Sequence, residues 1–434
     1  MANNVIVKKR KPILVCPARK TETGFYFLSN LDQNIAVMVR TIYVFKSPKK
    51  FNDDAVEVIK YSLAEALFHY HPVAGRLKIT KEGKLGIDCS GEGAVFVEAD
   101  AECDASELGD LRNPDLEKHG NLVYDVPGTS DLLQTPPLIV QVTRFMCGGF
   151  ALGLCMSHCM FDGKSAIEFV SFWCDVAKGN PNRVSPFLDR AILKARDPPR
   201  VEHNHREFDE FKDISNTGKL YEEEELLHES FCFTPQLQRK LKDAATEDGA
   251  IQRCTTFEAL TAFVWRTRCL ALKLIPQQQT KLLFAVDGRA KFDPPLPEKY
   301  AGNGIVLTCA SCSVEDLVGG RFSFVVGLVQ EAIARVQDGF MRSAIDYFEV
   351  TRARPSLTGT LLVTNWHRLS FESVDFGWGP PLLCGPASLP EKEVILFLTD
   401  EREKGSVSVL LGLPSSSMVI FKGIYDMLIV ENEV

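Results

Sequence analysis

The residue types most able to do chemistry stand together in His158-Cys159-Met160-Phe161-Asp162-Gly163. A histidine with a reference pKa of about 6.5 can take up and return a proton near neutral pH. This one follows an apolar run and precedes a helical pattern. A rigid element often aims a working side chain into a cleft from such an edge. By spacing alone HxxxD is a weak pattern, and a satisfied structural histidine competes with it. Asp162 reads two ways: as the N-cap of the following helix, or as a carboxylate orienting His158. Cys155 and Cys159 flank the histidine, and a Cys-His pair could form an acyl-enzyme. On an extended strand, however, neighbouring side chains diverge.

Other groups carry less. Asp375-Phe376-Gly377-Trp378-Gly379 has no titratable side chain but Asp375, and two glycines around a tryptophan read as a tight structural loop. His69-x-His71, His203-x-His205 and Cys309-x-x-Cys312 have ligand-like spacing but no second half nearby, so no metal site is assigned.

The elements around His158 are legible as patterns. Ile35–Phe45 is β-branched and aromatic and predicts a buried strand. Asp53–His69 carries apolar residues at helical spacing and ends before Pro72. Pro137–Phe145 and Gly149–Met156 predict two strands joined at Cys147–Gly148, and Ser165–Ala177 predicts a helix with Gly179 just beyond it. Residues 197–218 are polar, charged and Pro-bearing, with little periodicity, as a linker is. A second mixed unit follows, with a helix over Thr255–Leu272 capped by Thr255 or Thr256. Strands are predicted at Lys281–Val286, Val394–Leu398 and Val407–Leu411. Two α/β domains of similar size are expected.

Bulk properties exclude several classes. The chain has 434 residues, 45% apolar and 24% charged, ordinary for a globular protein. A net charge of −8 argues against nucleic acid as a partner. The basic tract Lys8–Lys11 reads as a solvated tail. Thirteen scattered cysteines and a polar, basic start without a signal-peptide pattern suggest free thiols in the cytoplasm. No apolar run reaches the ~18–20 residues that span a bilayer.

HCMFDG taken together with DFGWG resembles the plant BAHD acyltransferases, and further matches span nearly the whole chain. His71-Pro72-Val73-Ala74-Gly75-Arg76 is one. Thr256-Phe257-Glu258 leading into Val264-Trp265-Arg266 is another. Val286-Asp287-Gly288-Arg289 with Pro294-Pro295-Leu296-Pro297, Tyr300 and Gly302-Asn303 is a third.

The resemblance implies two chloramphenicol-acetyltransferase-like domains with mixed sheets, joined by a long crossover loop. Residues 1–196 would form the HxxxD domain and 219–434 the DFGWG domain, with about 389–404 crossing back to the first. It implies His158 as general base on an acceptor alcohol, with acyl-coenzyme A as co-substrate, no bound cofactor and no acyl-enzyme. Asp162 would support the motif and pair with Arg289. Thr364 and Trp366 would face the oxyanion and acyl-CoA, and Ser29 would line the acceptor side. Asp375, Phe376, Gly377, Trp378 and Gly379 would be structural. Pro380-Pro381 departs from the lysine usual after DFGWG. A monomer is expected.

Within the family the chain resembles the ω-hydroxyacid and fatty-alcohol hydroxycinnamoyltransferases of suberin and cutin synthesis. Residues 28–37, 91–99, 141–145 and 385–394 carry that likeness. It implies a feruloyl or caffeoyl donor and a long-chain hydroxylated acceptor. The alternative is the same chemistry with a benzoyl or other donor on an alkaloid or other specialised-metabolite hydroxyl.

Overall fold

A computed structural model describes residues 5–47, 54–111, 116–128, 131–388, 391–400 and 402–430. The chain divides into two compact units. The first comprises Met1–Pro199, Pro294–Gly304 and Leu369–Leu389; the second comprises Arg200–Asp293, Ile305–Arg368 and Pro390–Val434.

The first unit is built on a seven-stranded mixed sheet. In spatial order its strands are Val7–Lys9, Ala94–Ala101, Leu138–Arg144, Phe150–Ser157, Met38–Phe45 and Leu383–Pro386, with Ile13–Val15 also pairing Ala94–Ala101. Ala94–Ala101 and Leu138–Arg144 run parallel; the other pairs are antiparallel.

Phe150–Ser157 is buried at every residue because both faces of the sheet are covered. Its alternation divides two cores. Phe150, Leu152, Leu154 and Met156 face one cluster, which includes Val56, Ile59 and Leu63 of the helix Asp54–His69 and Phe169 and Trp173 of the helix Gly163–Ala177. Ala151 and Cys155 face the other, with Ile42, Val97 and Leu122.

The hairpin expected between 137 and 156 forms, and Gly148 turns it with a φ of 87°. The basic tract does not hang free. Val7–Lys9 forms an edge strand against Ala99–Ala101, where Lys8 pairs with Glu102 and Arg10 with Glu98. Neutralising acids across the ladder explain the departure from a solvated tail.

The second unit holds a six-stranded mixed sheet: Leu226–Phe233, Ser406–Pro414, Val394–Asp400, Thr360–Asn365, Gln279–Asp287 and Ile305–Ser313. Its core gathers the helices Thr256–Ala271 and Phe322–Arg335. Thr255 caps the first of these in a capping box with Glu258.

Two placements differ from the sequence expectation. The segment returning to the first sheet is Leu383–Pro386, paired with Met38–Phe45, whereas Val394–Asp400 pairs inside the second sheet; residues 389, 390 and 401 lie outside the described residues. The 375–379 loop, expected in the second domain, belongs to the first unit. Its aromatic side chains insert into that core, Phe376 against Phe45 and Trp173, and Trp378 against Phe150.

Nor is the linker loose. The Arg200 N–H donates to Asp346, those of Glu202 and His203 donate to Ser343 Oγ, and buried His205 bridges Glu207 and Ser343. These bonds lace the early linker to the helix Asp338–Thr351. Among the described residues no helix is long and apolar enough to cross a membrane.

Candidate active site

His158 is the first residue beyond the strand Phe150–Ser157. Its N–H extends the ladder by donating to Val37 O at 2.9 Å. The chain then turns, Met160 N–H closing back on Ser157 O at 2.9 Å. Asp162 begins the helix Gly163–Ala177 with extended backbone angles, and its Oδ1 accepts from the Ser165 N–H at 2.9 Å. That is the capping geometry. Asp162 Oδ2 accepts from the Gly304 N–H at 2.9 Å. Of the two readings of Asp162, the cap is present.

Three residues to which the sequence reading assigned no role at the site hold this turn: Asp32, Arg190 and Asn303. Asn303 Nδ2 donates to His158 O at 2.7 Å and to Asp32 Oδ1 at 2.9 Å, and the Asn303 N–H also reaches Asp32 Oδ1 at 2.9 Å. Arg190 donates from Nη1 to Cys159 O at 2.9 Å and from Nη2 to Met160 O at 2.6 Å. Its guanidinium also binds Ala301 O and pairs with Asp32 Oδ2 at 3.3 Å.

Arg190, Asp32 and Asn303 are all buried. A buried ion pair survives only when its remaining hydrogen-bonding capacity is filled, and here backbone carbonyls fill it for the arginine. The peptide oxygens of 158, 159 and 160 are therefore each held by a fixed donor.

Ser29 sits on the far side of Asp32. Its N–H and Oγ–H both donate to Asp32 Oδ2, at 2.8 and 2.7 Å, and it caps the short helix Asn30–Asn34. Ser29 is fully buried. Its hydroxyl is committed to the cap, so it bears on the site through the 28–34 turn.

The His158 ring is partly buried, and burial pushes its pKa below the usual histidine value. Asp162, its own carbonyl, the Asn303 amide and Asp32 oppose that shift. Burial wins, so the ring is neutral at pH 7 and competent to accept a proton. Nδ1 is buried without a hydrogen-bond partner among the described residues.

The flanking cysteines lack the exposed, activated setting of a nucleophile. Both are buried, and burial pushes the Cys155 thiol up to about 11, away from the thiolate that attack requires. Cys309 and Cys312 are likewise pushed up to about 12. Among the described residues no group of three or more His, Cys, Asp or Glu side chains could hold a metal ion.

In the second unit, Thr364 and Trp366 lie two residues apart at the end of the strand Thr360–Asn365. Both are partly buried; the Trp366 N–H donates to Phe397 O at 2.8 Å, and its ring packs on Leu396, Leu398 and Leu410. Arg289, nearly buried, binds Asp287 Oδ1 through its N–H and Nη1, both at 3.1 Å.

The 375–379 loop is a self-contained turn. Asp375 Oδ1 accepts from the N–H groups of Gly377 and Gly379, at 2.8 and 2.9 Å. Both glycines have positive φ, 109° and 84°, where a side chain would be strained. Pro380 and Pro381 follow at the surface.

The chain matches the model of the Transferase family over residues 5–427. It is 57% identical over 419 residues to an omega-hydroxypalmitate O-feruloyl transferase of Arabidopsis thaliana, covering 96% of this chain and 92% of that one. It is 53% identical over 427 residues to a fatty alcohol:caffeoyl-CoA acyltransferase of Arabidopsis thaliana, covering 97% and 98%. Among solved structures it resembles vinorine synthase, with a TM-score of 0.75 at 24% identity and 96% of each chain covered. That likeness bears on the fold.

Proposed function

The chain belongs to the Transferase family, as a BAHD acyl-CoA-dependent O-acyltransferase, and we propose that it esterifies long-chain alcohols with a hydroxycinnamoyl group. The donor in this reading is feruloyl- or caffeoyl-coenzyme A. The acceptor is an ω-hydroxy fatty acid or a fatty alcohol. The observation that carries it is the identity of 57% and 53%, over nearly whole chains, to two enzymes named for those reactions.

The surroundings of His158 support an apolar acceptor. Val37, whose carbonyl holds the His158 N–H, is 51% exposed, and Ile35, Ala36 and Met38 beside it are partly buried. The exposed Val37 side chain offers apolar surface next to the His158 turn, where a methylene group that covers it loses contact with water, worth roughly 0.8 kcal/mol per buried CH₂.

In this mechanism His158 Nε2 accepts the acceptor's hydroxyl proton. The oxygen attacks the thioester carbonyl and forms a tetrahedral oxyanion. Thr364 and Trp366 offer a hydroxyl and an indole N–H as donors to that charge. Collapse breaks the C–S bond, and the imidazolium returns its proton to the leaving thiolate of coenzyme A. No acyl-enzyme forms. Asp162, as the cap of the following helix, supports the turn rather than the proton transfer, and Ser29 shapes the acceptor side through its cap. The protein acts as a cytoplasmic monomer. Benzoylation of an alkaloid or other compact alcohol is the weaker reading, because neither of those two relatives is named for such a substrate.

The test pairs purified protein with feruloyl-, caffeoyl-, coumaroyl-, benzoyl- and acetyl-coenzyme A in turn. Acceptors are 16-hydroxypalmitate, a fatty alcohol and a set of alkaloid alcohols, with esters detected by mass. Hydroxycinnamoyl esters of the long-chain acceptors are expected. Esters only from benzoyl donor and compact alcohols would sink the substrate reading while leaving the chemistry.

A further inference from the structure

Two buried polar atoms near the catalytic ring have no hydrogen-bond partner among the described residues: His158 Nδ1 and Asn303 Oδ1. They belong to residues already joined, since Asn303 Nδ2 donates to His158 O at 2.7 Å. An orphan ring nitrogen and an orphan carbonyl oxygen, each costly when buried unpaired, are mutual candidates for one bond. That bond exists only if Nδ1 carries the ring's proton, because an amide oxygen accepts and cannot donate.

We infer that Asn303, held in place by Asp32 and Arg190, is a positioning residue that fixes the Nδ1–H tautomer of His158 and so leaves Nε2 unprotonated to act as the base. The inference rests on the general-base reading of His158. Asn303 has little freedom to do otherwise. Its N–H and Nδ2 both bind Asp32 Oδ1 at 2.9 Å, and Asp32 is itself locked by the Ser29 N–H and Oγ–H and by the Arg190 guanidinium. With Nδ2 committed to Asp32 and to His158 O, Oδ1 is the atom left to meet the ring. The charged groups acting on the ring are Asp162 and Asp32, and both raise its pKa, as the Asn303 amide does.

A wrong tautomer presents N–H to the substrate hydroxyl and cannot accept its proton. The arrangement differs from a Ser-His-Asp triad in using a neutral amide, which orients the ring without supplying a full counter-charge. A buried histidine held neutral suits this, since the imidazolium has to form only transiently.

Protein labelled with ¹⁵N-histidine reports the tautomer directly, with His158→Ala identifying the signal. The wild-type ring is expected to carry its proton on Nδ1. Asn303→Ala is expected to mix the tautomers and lower kcat about 10- to 100-fold. KM for feruloyl-coenzyme A should stay within about threefold, because uniform binding is untouched. Removing a group that raises the His158 pKa should move the acid limb of kcat/KM to lower pH. A purely structural role would not move that limb in the folded variant.

A wild-type ring protonated on Nε2 overturns the inference, even if Asn303→Ala cannot be purified folded. So does a folded Asn303→Ala with unchanged kcat and an unchanged acid limb. A fully active His158→Ala would instead fail the general-base reading, and the tautomer signal is scored independently of it.

Discussion

The two loops that announce the family lie in the same unit and use opposite kinds of order. The 375–379 loop satisfies itself: Asp375 binds the N–H groups of Gly377 and Gly379, and Phe376 and Trp378 anchor it in the core. The 158–162 turn satisfies almost nothing by itself. Its carbonyls and its cap draw partners from residues 190, 303 and 304, and through Asn303 and Arg190 from residue 32. A loop held locally can be stable but has no reason to present a reactive group. A turn held from distant parts of the chain can keep a polar ring partly exposed and partly unsatisfied.

The largest effects should separate the two loops by kind. His158→Ala is expected to lower kcat by about 10²–10⁴, the usual contribution of a positioned acid–base group. Its denaturation midpoint should stay near wild type. The same comparison has a pH form. Burial lowers the His158 pKa, so the basic form persists below the ordinary histidine range, and the acid limb of kcat/KM should fall below pH 6.5. An acid limb above 6.5 would mean that the nearby carboxylates outweigh burial.

Phe376→Ala should do the reverse. Deleting a buried aromatic ring that meets Phe45 and Trp173 is expected to cost about 3–5 kcal/mol in urea denaturation. The protein that remains folded should keep its kcat. A large loss of kcat in folded Phe376→Ala would break the contrast between the loops.

Asp162 tests the middle ground. Asp162→Ala loses the cap on Ser165 and leaves the Gly304 N–H unpaired, for an expected loss of about 1–3 kcal/mol. Asp162→Asn keeps an acceptor for only one of the two donors, because its NH₂ stands where the other oxygen was, and should recover only part of that stability. A triad carboxylate would behave differently, with Asn costing nearly as much activity as Ala.

What the sequence made legible was local. The apolar run of Phe150–Ser157, the cap at Thr255 and the turn at Gly148 depend on residues within a few positions of one another, and residue type suffices to place them. His158 was legible because its motif is contiguous. Asp32, Arg190 and Asn303 were not, since no periodicity links the turn to residues that lie 30 to 145 positions away. The signal that could have found them is chemical: Asp32 and Asn303 lie in segments already singled out, and each is a polar residue in a stretch that had to be buried. The 375–379 loop went to the wrong unit for the same reason, because its place depends on Phe376 fitting a cavity lined by strands near residues 45 and 150. Residues 200–208 looked like free linker because polar composition hides the bonds that His205 and Arg200 make to Ser343 and Asp346.

The smallest effect sharpens the comparison most. Asp375→Ala removes the acceptor for two glycine N–H groups in a partly exposed loop. Water can replace part of that bonding, so the expected cost is about 1 kcal/mol, near the net value of one hydrogen bond. Its ion pair with Lys178, at 3.8 Å and partly exposed, should add little. The activity of folded protein should be unchanged, because the loop's aromatic anchors remain. If Asp375→Ala lowered kcat as much as it lowered stability, the loop would transmit its order to the His158 turn. The two loops would then have to be treated as one device.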